Sequence, residues 1–363
     1  MLSPATIKQI LRPLISPEHY DFWARELGSV AAWERCFARV VSRSDESQDS
    51  FTLHLRPNSN RPAYQSGQHI NLSAVVQGRR ISRSYSLTSL PGERDLSITL
   101  RREPMGQMSN WLYDNAMPGA IVEIGSAFGD MTFAKAGVTT DDNLLFLAAG
   151  SGITPLYGLI RAALAGGHRG TIKLLYWDKT CDHFCFGNEL RELEQHPQFS
   201  VQRIATRSGL ENQNISSGRI SEAQIQVLAA ELLPSSPHIF ACGGADFVAK
   251  ARKVADGLGQ RRFYAESFTA NNPVTDDSAE TFYQIELARS RTSLEVSSKT
   301  NLLDALEAAG IGVESGCRMG ICNTCSCPTR QGSTLDTSTG LLNNGHSTRL
   351  CISQARSNLI LDL

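Results

Sequence analysis

Cysteines near the end of the chain have a spacing that can hold a metal centre. Cys317, Cys322 and Cys325 follow one another in the order C-x4-C-x2-C, and Cys351 lies further along the chain. Two tetrahedral irons need four thiolates, two for each iron, and one loop around the irons can supply three of them. Gly320 lets the backbone of that loop pass close to a bound group. The spacing therefore predicts a [2Fe–2S] cluster on Cys317, Cys322, Cys325 and Cys351.

Zinc is the alternative metal at these cysteines. Zinc sites usually combine two C-x2-C pairs roughly 12–20 residues apart, whereas this stretch has one such pair and a C-x4-C step. Cys327 is interpreted as a buried non-ligand, because Cys325 completes the spacing without it. A non-enzymatic zinc-binding protein is the alternative function of a different class.

Two glycine-rich turns stand between strand patterns and helix patterns. GSGITP, residues 150–155, follows the apolar run NLLFLAA, and CGGADF, residues 242–247, follows HIFA. Glycines allow the backbone to approach a pyrophosphate, while a helix N-terminus and Thr154 supply donors. The first turn is not G-x-G-x-x-G, yet its position predicts a nucleotide-binding loop.

The hydrophobic patterns change along the chain and predict several domains. Short alternating strands dominate up to about residue 137 and indicate an antiparallel barrel. Strands and helices then alternate, which indicates a parallel α/β sheet. Strands return after a polar, turn-rich segment, with a helix whose N-cap we expect at Thr300 and whose C′ residue we expect at Gly310. The predicted parts are a helical leader (1–33), a barrel (34–137), an α/β domain (138–268), a linker (269–280) and a C-terminal domain (281–363).

Composition excludes several classes of function. The formal net charge of −1 over 363 residues gives no indication of a nucleic-acid partner. No apolar run approaches the roughly 18 residues that a membrane-spanning helix needs. The start lacks the pattern of a secretory signal, so we expect a cytoplasmic protein with reduced thiols. Apolar residues on one face of the leader indicate a helix packed on the body, or alternatively one peripheral to the inner face of the membrane.

Two resemblances to known families follow from these motifs. Residues 280–363 resemble a plant-type ferredoxin, which implies a β-grasp fold. The ordered set RSYS (83–86), GQMSNWL (106–112), GSAFGDM (125–131), GSGITP and CGGADF resembles the ferredoxin–NADP reductase superfamily. That resemblance implies a flavin-binding barrel followed by a nicotinamide-binding α/β domain. The order flavin, nicotinamide, iron–sulfur resembles phthalate dioxygenase reductases.

The resemblance assigns roles to residues of the barrel. It implies that Arg83 pairs with a flavin phosphate, that Tyr85 stacks on the flavin ring and that Ser86 lies near flavin N5. Ser84 belongs to the same flavin-binding string. The pyrophosphate is implied to lie against Gly106, Gln107, Met108 and Ser109. This loop resembles the FAD version, so FAD is predicted, with FMN as the alternative.

Further roles are implied for the α/β domain. Gly150 and Gly152 are expected to approach the pyrophosphate, Thr154 and Pro155 to border the nicotinamide, and Cys242 and Gly243 to face its ring from the other side. Ser151 and Gly244 are predicted cofactor-binding residues of the same two turns. Glu266 and Phe268 are expected to close over the flavin. Ser86, Cys242 and Glu266 are therefore the residues predicted nearest the hydride transfer. Lys179 and Arg207 favour NADPH, because a 2′-phosphate needs a cation, whereas Asp178 favours NADH.

The combined resemblance implies an electron-transfer reductase. Reduced nicotinamide gives a hydride, the cluster takes single electrons, and flavin mediates between them. No strong acid or base is required, and His54, His69 and His183 are interpreted as structural or exposed. Residues 11–41 resemble the leader of bacterial reductases that serve membrane fatty-acyl-CoA desaturases, so a di-iron desaturase is the predicted external acceptor. A ring-hydroxylating dioxygenase or a monooxygenase is the alternative acceptor.

Overall fold

The computed structural model describes residues 16–207, 215–268, 279–337 and 340–363. Of the predicted helical leader, residues 1–15 lie outside the described residues, and helix α1 (Pro17–Glu26) is described. Of the predicted linker, residues 269–278 likewise lie outside them. No described helix is both long enough and apolar enough to cross a lipid bilayer.

The first sheet is an antiparallel barrel, as the alternating pattern predicts. Its strands lie in the order β4-β3-β6-β1-β2-β5, and a bridge between Leu87 and Ile98 joins the two ends of the sheet. Alternate side chains such as Leu53, Leu55 and Ile70 fill its interior and are fully buried. The elements are β1 (Cys36–Ser47), β2 (Ser50–Pro57), β3 (His69–Val76), β4 (Arg79–Ser86), β5 (Leu96–Arg101), α2 (Gln107–Asn115), β6 (Ile121–Phe128) and α3 (Phe133–Ala136).

The second sheet has the strand order β10-β9-β8-β7-β11-β12, and its strands β7 to β11 pair in parallel. Apolar runs in β7 and β11 are buried on both faces, as expected of a parallel sheet. The elements are β7 (Leu144–Ala149), α4 (Ile153–Ala165), β8 (Ile172–Asp178), α5 (Gly187–Leu193), β9 (Phe199–Ala205), β10 (Ile215–Ser217), α6 (Glu222–Leu228), β11 (His238–Gly243), α7 (Ala245–Gly257) and β12 (Phe263–Ser267).

The C-terminal region forms a mixed sheet in the order β14-β13-β20-β15-β18, beside a small sheet β17-β16-β19. Helix α8 begins after Asn301 rather than after the expected cap Thr300, and Gly310 ends it with a left-handed φ of 76°, as expected. The elements are β13 (Phe282–Leu287), β14 (Thr292–Ser297), α8 (Leu302–Ala308), β15 (Ser326–Gln331), β16 (Thr334–Asp336), β17 (Leu342–Asn343), β18 (Ser347–Arg349), β19 (Ser353–Ala355) and β20 (Leu359–Leu361).

The chain divides into two compact units, and the barrel and the α/β sheet share the first. Unit 1 holds residues 1–243 and 250–266, and unit 2 holds residues 244–249 and 267–363. Within unit 1, helix α4 packs directly on the barrel: a Cβ added at Gly158 would lie 2.9 Å from the carbonyl oxygen of Leu87. Arg161 on the same helix donates to the carbonyl oxygen of Thr88 at 2.8 Å. The barrel and the α/β sheet are therefore two lobes of one unit.

Candidate cofactor sites

The RSYS string lies on β4, and this strand ends near helix α4. Its residues pair with β3, where Ser84 donates to the Asn71 side chain at 2.6 Å and Arg83 donates to the carbonyl oxygen of Ser82 at 2.8 Å. Burial raises the pKa of the Tyr85 hydroxyl, and nearby Arg83 opposes this shift. Tyr85 packs against the barrel core, while Ser86 is buried where the strand ends.

The predicted pyrophosphate loop forms the turn before α2. Gly106 is its N-cap and provides no side-chain cap, so the first amides of the helix are available to an anion. A Cβ at Gly106 would lie 2.3 Å from the Ser109 hydroxyl, which explains the glycine. The Ser109 hydroxyl itself accepts from the amide of Glu103, and the Met108 side chain is buried in the barrel core. Met108 can therefore offer only its main chain to a phosphate, whereas Gln107 is exposed.

The turn Gly150–Gly152 connects β7 to α4 and touches the end of β11. Gly150 has a left-handed φ of 56°. A Cβ at Gly152 would lie 2.1 Å from the carbonyl oxygen of Cys242, so only glycine fits this approach. The Thr154 hydroxyl donates to the carbonyl oxygen of Ser151 at 3.0 Å, and both Thr154 and Pro155 are buried. The loop is thus held by internal contacts at the seam between the lobes.

A buried polar cluster forms where the barrel strands β3 and β4 meet the end of β12. The His69 Nε2 atom lies 2.6 Å from Glu266 Oε1, and both side chains are less than 10% exposed. Ser86 is paired with His69 in the strand register. Cys242 is fully buried and close enough to Glu266 for that charge to affect it. The structure therefore brings together the predicted residues Ser86, Cys242 and Glu266, and adds His69.

Burial and charge perturb two titratable groups in this cluster. Burial lowers the pKa of His69, but the charge of Glu266 and the hydrogen bond to it outweigh burial, so the pKa lies above its ordinary value. Burial raises the pKa of the Cys242 thiol well above its usual range, and the charge of Glu266 adds to the shift. Cys242 is therefore a neutral thiol at neutral pH.

Orphaned polar atoms indicate that this cluster faces a bound group. Within the described part of the chain, the Ser86 hydroxyl and the Oε2 atom of Glu266 are buried without a hydrogen-bond partner. Buried polar atoms are normally satisfied, so such atoms at a seam between lobes require an explanation. The polar edge of a flavin, with a nicotinamide beside it, fits these atoms.

Two exposed cations lie side by side at the carboxyl edge of the parallel sheet. The amide of Arg207 donates to the carbonyl oxygen of Lys179 at 2.9 Å, which places these residues at adjacent strand ends. Asp178 is turned inward, because its carboxylate accepts from Arg101 at 2.7 Å and from the amide of Lys179. The edge therefore offers positive charge, and its acid is already engaged.

Two of the residues predicted for the flavin and nicotinamide sites fall outside unit 1. Gly244 follows β11 and Phe268 follows β12, and both belong to unit 2. Gly243 ends β11 within unit 1, and its amide nitrogen lies close to Gly152.

The four predicted cluster ligands lie as two pairs of thiols. Cys317 and Cys322 interact through their side chains, and so do Cys325 and Cys351. A hydrogen bond from Cys317 lowers the pKa of Cys322 to about 4, and one from Cys351 lowers the pKa of Cys325 to about 7. Pairs of this kind suit two irons with two thiolates each. The described residues hold no group of three or more ligands arranged for a single metal ion.

Backbone amides of the cysteine loop point at sulfur. The amides of Met319 and Cys322 donate to Cys317 Sγ, and the amide of Cys317 donates to Cys322 Sγ, each at 3.3 Å. Gly320 has a φ of 76°, and a Cβ there would lie 2.4 Å from Ile352 Cδ1. Amide donors favour thiolates over thiols, so the chain is preorganised for an anionic, sulfur-ligated centre.

His69 is the residue of the buried cluster that sequence reasoning missed. Its sequence signal is its position two residues after Gly67, at the start of a strand pattern that could pair with RSYS. Cys327, expected to be a buried non-ligand, is buried, and its thiol contacts the carbonyl oxygen of Pro328.

Comparisons with known proteins identify three domains in the chain. Residues 38–133 match an oxidoreductase FAD-binding domain, residues 146–253 an oxidoreductase NAD-binding domain, and residues 285–356 a 2Fe-2S iron-sulfur cluster binding domain. An NADPH oxidoreductase of Mycobacterium tuberculosis (strain ATCC 25618 / H37Rv) is 30% identical, over 98% of this chain and 90% of that protein.

Other relatives are less similar or match over less of their length. The ferredoxin reductase component of 3-ketosteroid-9-alpha-monooxygenase from Mycobacterium tuberculosis (strain CDC 1551 / Oshkosh) is 30% identical, over 81% of this chain and 84% of its own. The solved structure of phthalate dioxygenase reductase superposes with a TM-score of 0.61 at 23% identity, over 91% of this chain and 98% of that one. At this identity the superposition establishes the fold alone.

Proposed function

Because this chain belongs to the ferredoxin–NADP reductase superfamily with a C-terminal [2Fe–2S] domain, we propose that it passes electrons from NADPH to an oxygen-using acceptor protein. The chain is an NAD(P)H-dependent electron-transfer oxidoreductase that binds FAD, a pyridine nucleotide and a [2Fe–2S] cluster. The observation that carries the proposal is the buried cluster of Ser86, Cys242 and Glu266 at the seam between the two nucleotide-binding lobes.

The chain's own residues bind, orient and exclude water, and the cofactors supply the redox chemistry. Bound flavin accepts a hydride and releases electrons singly. The amides at the start of α2 and the Arg83 guanidinium are assigned to the flavin phosphates. The Gly150–Gly152 turn, which packs against Cys242 at the end of β11, would hold the pyridine nucleotide. Because hydride transfer needs the donor and acceptor rings close together, the tight packing of α4 on the barrel would help to orient the two nucleotide-binding lobes for it.

NADPH is the proposed donor because of charge at the sheet edge. Lys179 and Arg207 are exposed there, whereas Asp178, which would otherwise favour a free ribose hydroxyl, is paired with Arg101. A relative that aligns over 98% of the chain is named an NADPH oxidoreductase.

The donor is tested by steady-state reduction of ferricyanide with NADPH and with NADH. A hydrogen bond to a charged group contributes about 1.5–3 kcal/mol, so Lys179→Gln and Arg207→Gln should each raise KM for NADPH roughly 10- to 150-fold. KM for NADH should stay unchanged. Arg169→Gln is the matched control, since Arg169 is an exposed cation paired with Asp141 elsewhere on this lobe. Equal use of both nucleotides by the unaltered chain would count against NADPH as the specific donor.

A membrane fatty-acyl-CoA desaturase is the proposed acceptor, on the resemblance of residues 11–41 to the leader of desaturase-associated reductases. A desaturase takes electrons one at a time at a di-iron centre, which matches an output through a [2Fe–2S] cluster. The second candidate is an oxygenase, because relatives of this chain are named as reductase components of 3-ketosteroid-9-alpha-monooxygenase and glycine betaine monooxygenase. The zinc-binding alternative has no support from the paired thiols or from the domain match.

Reconstitution separates the two acceptors. The purified, cluster-loaded chain is combined with NADPH, oxygen and either desaturase-containing membranes with acyl-CoA or a soluble oxygenase component with its substrate. We expect double-bond formation in the first mixture, and none with a Cys322→Ala variant that cannot hold the cluster. Product in the oxygenase mixture alone would favour the second candidate.

A further inference from the structure

His69 forms a buried ion pair that joins the two lobes at the proposed hydride-transfer site. It begins β3 in the barrel, and its Nε2 atom lies 2.6 Å from Oε1 of Glu266 on β12 in the α/β lobe. The His69 side chain is 2% exposed and that of Glu266 is 8% exposed. Solvent therefore screens this pair little, and its geometry is fixed from both sides.

Each element packed around His69 contributes an identifiable neighbour. Ser86 on β4 is its partner in the strand register, and the Phe128 ring on β6 meets the imidazole edge-on at 5.8 Å. Cys242 on β11 lies within the field of Glu266. Among the neighbours just named, the titratable group facing the pair is thus Cys242, and its thiol is neutral. Among these described neighbours, His69 is the one that can balance the charge of Glu266.

A buried carboxylate needs a partner for two reasons. Without a nearby cation, burial favours its protonated form, and without a donor its direction is not fixed. The remaining oxygen of Glu266, Oε2, has no hydrogen-bond partner among the described residues. One oxygen is therefore held by His69 and the other is left for a bound group.

We infer that His69 is a positioning residue that holds the Glu266 carboxylate aimed at the place where flavin and nicotinamide would meet. The inference deepens the proposed function and rests on it. The competing reading is that the pair only fastens the two lobes together. That reading predicts a loss of stability but no change in how flavin reduction depends on pH.

The test is stopped-flow reduction of the flavin by NADPH across a pH series, in the full-length holoprotein. The variants are His69→Leu, His69→Gln, Glu266→Gln and the double variant His69→Leu/Glu266→Gln. We expect His69→Leu to reduce the limiting rate roughly 10- to 100-fold, as small displacements of reacting groups do, with little change in KM for NADPH. His69→Gln keeps a donor but no charge. Its limiting rate should lack the decline that the unaltered chain shows as pH rises through the raised pKa of His69, because glutamine has no charge to lose.

The double variant shows whether His69 acts through Glu266. If it does, the double variant should be no slower than Glu266→Gln, since Glu266 is then the only route of the effect. His183→Gln is the control, because His183 Nε2 also makes a lobe-to-lobe contact with a carboxylate, that of Asp49, but at 3.8 Å and with more exposed side chains. We expect its flavin reduction to be unchanged. FAD content and thermal unfolding are measured for every variant, and His69→Gln provides the test if His69→Leu does not fold.

Three results would overturn the inference. The first is a His69→Gln pH profile identical to that of the unaltered chain. The second is a rate loss in His69→Leu that adds in full to that of Glu266→Gln in the double variant. The third is a loss of flavin-reduction rate in His183→Gln as large as that in His69→Leu. Failure of the proposed function is a separate outcome, seen as no flavin reduction in the unaltered chain with either nucleotide.

Discussion

Arg101 offers the sharpest test of how the two lobes of the reductase unit are joined. It ends β5 in the barrel, and its guanidinium contacts Asp49 at 3.1 Å and Asp178 of the α/β lobe at 2.7 Å. The Arg101 side chain is 12% exposed and that of Asp178 is 2% exposed. Burial lowers the pKa of Arg101, but Asp178 and Asp49 outweigh it, so Arg101 is charged at any accessible pH. The perturbation is Arg101→Gln, which removes the cation and leaves the carboxylate of Asp178 buried.

Burial sets the size of the effect. An exposed ion pair contributes about 0–1 kcal/mol, whereas removing one partner of a buried pair costs about 3–5 kcal/mol because an uncompensated charge remains. Because the Asp178 side chain is only 2% exposed, the Arg101–Asp178 pair is a buried pair. For a unit of roughly 150–250 residues, each kcal/mol corresponds to about 2–4 °C in Tm. Arg101→Gln should therefore lower the Tm of the reductase unit by roughly 6–20 °C.

The assay is thermal unfolding of the holoprotein followed by release of flavin fluorescence. Arg102→Gln is the matched control, since the next residue is also an arginine but is exposed and bonds to Asn110. It should shift Tm by no more than about 2 °C, as expected for a surface substitution. The double variant Arg101→Gln/Asp178→Asn removes the orphaned charge and should be more stable than Arg101→Gln alone.

Two results would refute this reasoning. The first is an Arg101→Gln variant as stable as Arg102→Gln, which would mean that Asp178 is reached by water or by another cation. The second is a double variant whose loss equals the sum of the two single losses, which would mean that Arg101 and Asp178 are not coupled.

Three further predictions follow from single contacts. Gly152→Ala should abolish flavin reduction, since its Cβ would lie 2.1 Å from the carbonyl oxygen of Cys242; stopped-flow absorbance measures this. Because the folded-state pKa of His69 is raised, its ion pair should stabilise the fold fully below about pH 6.5 and less as pH rises through that raised value. Urea midpoints across pH should show this decline in the unaltered chain and not in His69→Gln. Cys322→Ala should lose iron and acid-labile sulfide, whereas Cys327→Ala should keep both in elemental analysis.

The sequence predicts the fold class well because its periodicities are local. Alternation predicts the barrel, the change from strand to helix periods predicts the parallel sheet, and both are confirmed. The spacing of Cys317, Cys322 and Cys325 predicts the cluster because three ligands lie on one loop. Their grouping into pairs with Cys351 needed the structure, since the fourth ligand comes from a distant turn.

Contacts between lobes could not be predicted from local patterns. His69 and Glu266 are far apart in sequence, and neither lies in a spacing that indicates a pair. Asp178 reads as a ribose ligand because it ends a strand of the sheet, but Arg101 from the barrel engages it. Met108 falls in the expected phosphate loop, yet its side chain belongs to the barrel core. Each of these depends on how elements from different parts of the chain meet.

The division of the chain fits the different demands of the two transfers. Hydride transfer needs two rings in contact, and the barrel and α/β lobe accordingly share one compact unit. They are joined by a glycine contact at Gly158, a buried Arg101–Asp178 pair and a buried His69–Glu266 pair. Electron transfer to a cluster involves no bond formation and tolerates distance, and the cysteine loop lies in the other unit. If this reasoning holds, substitutions at the seam should slow flavin reduction and leave the cluster's own spectrum unchanged, whereas substitutions in the cysteine loop should do the reverse.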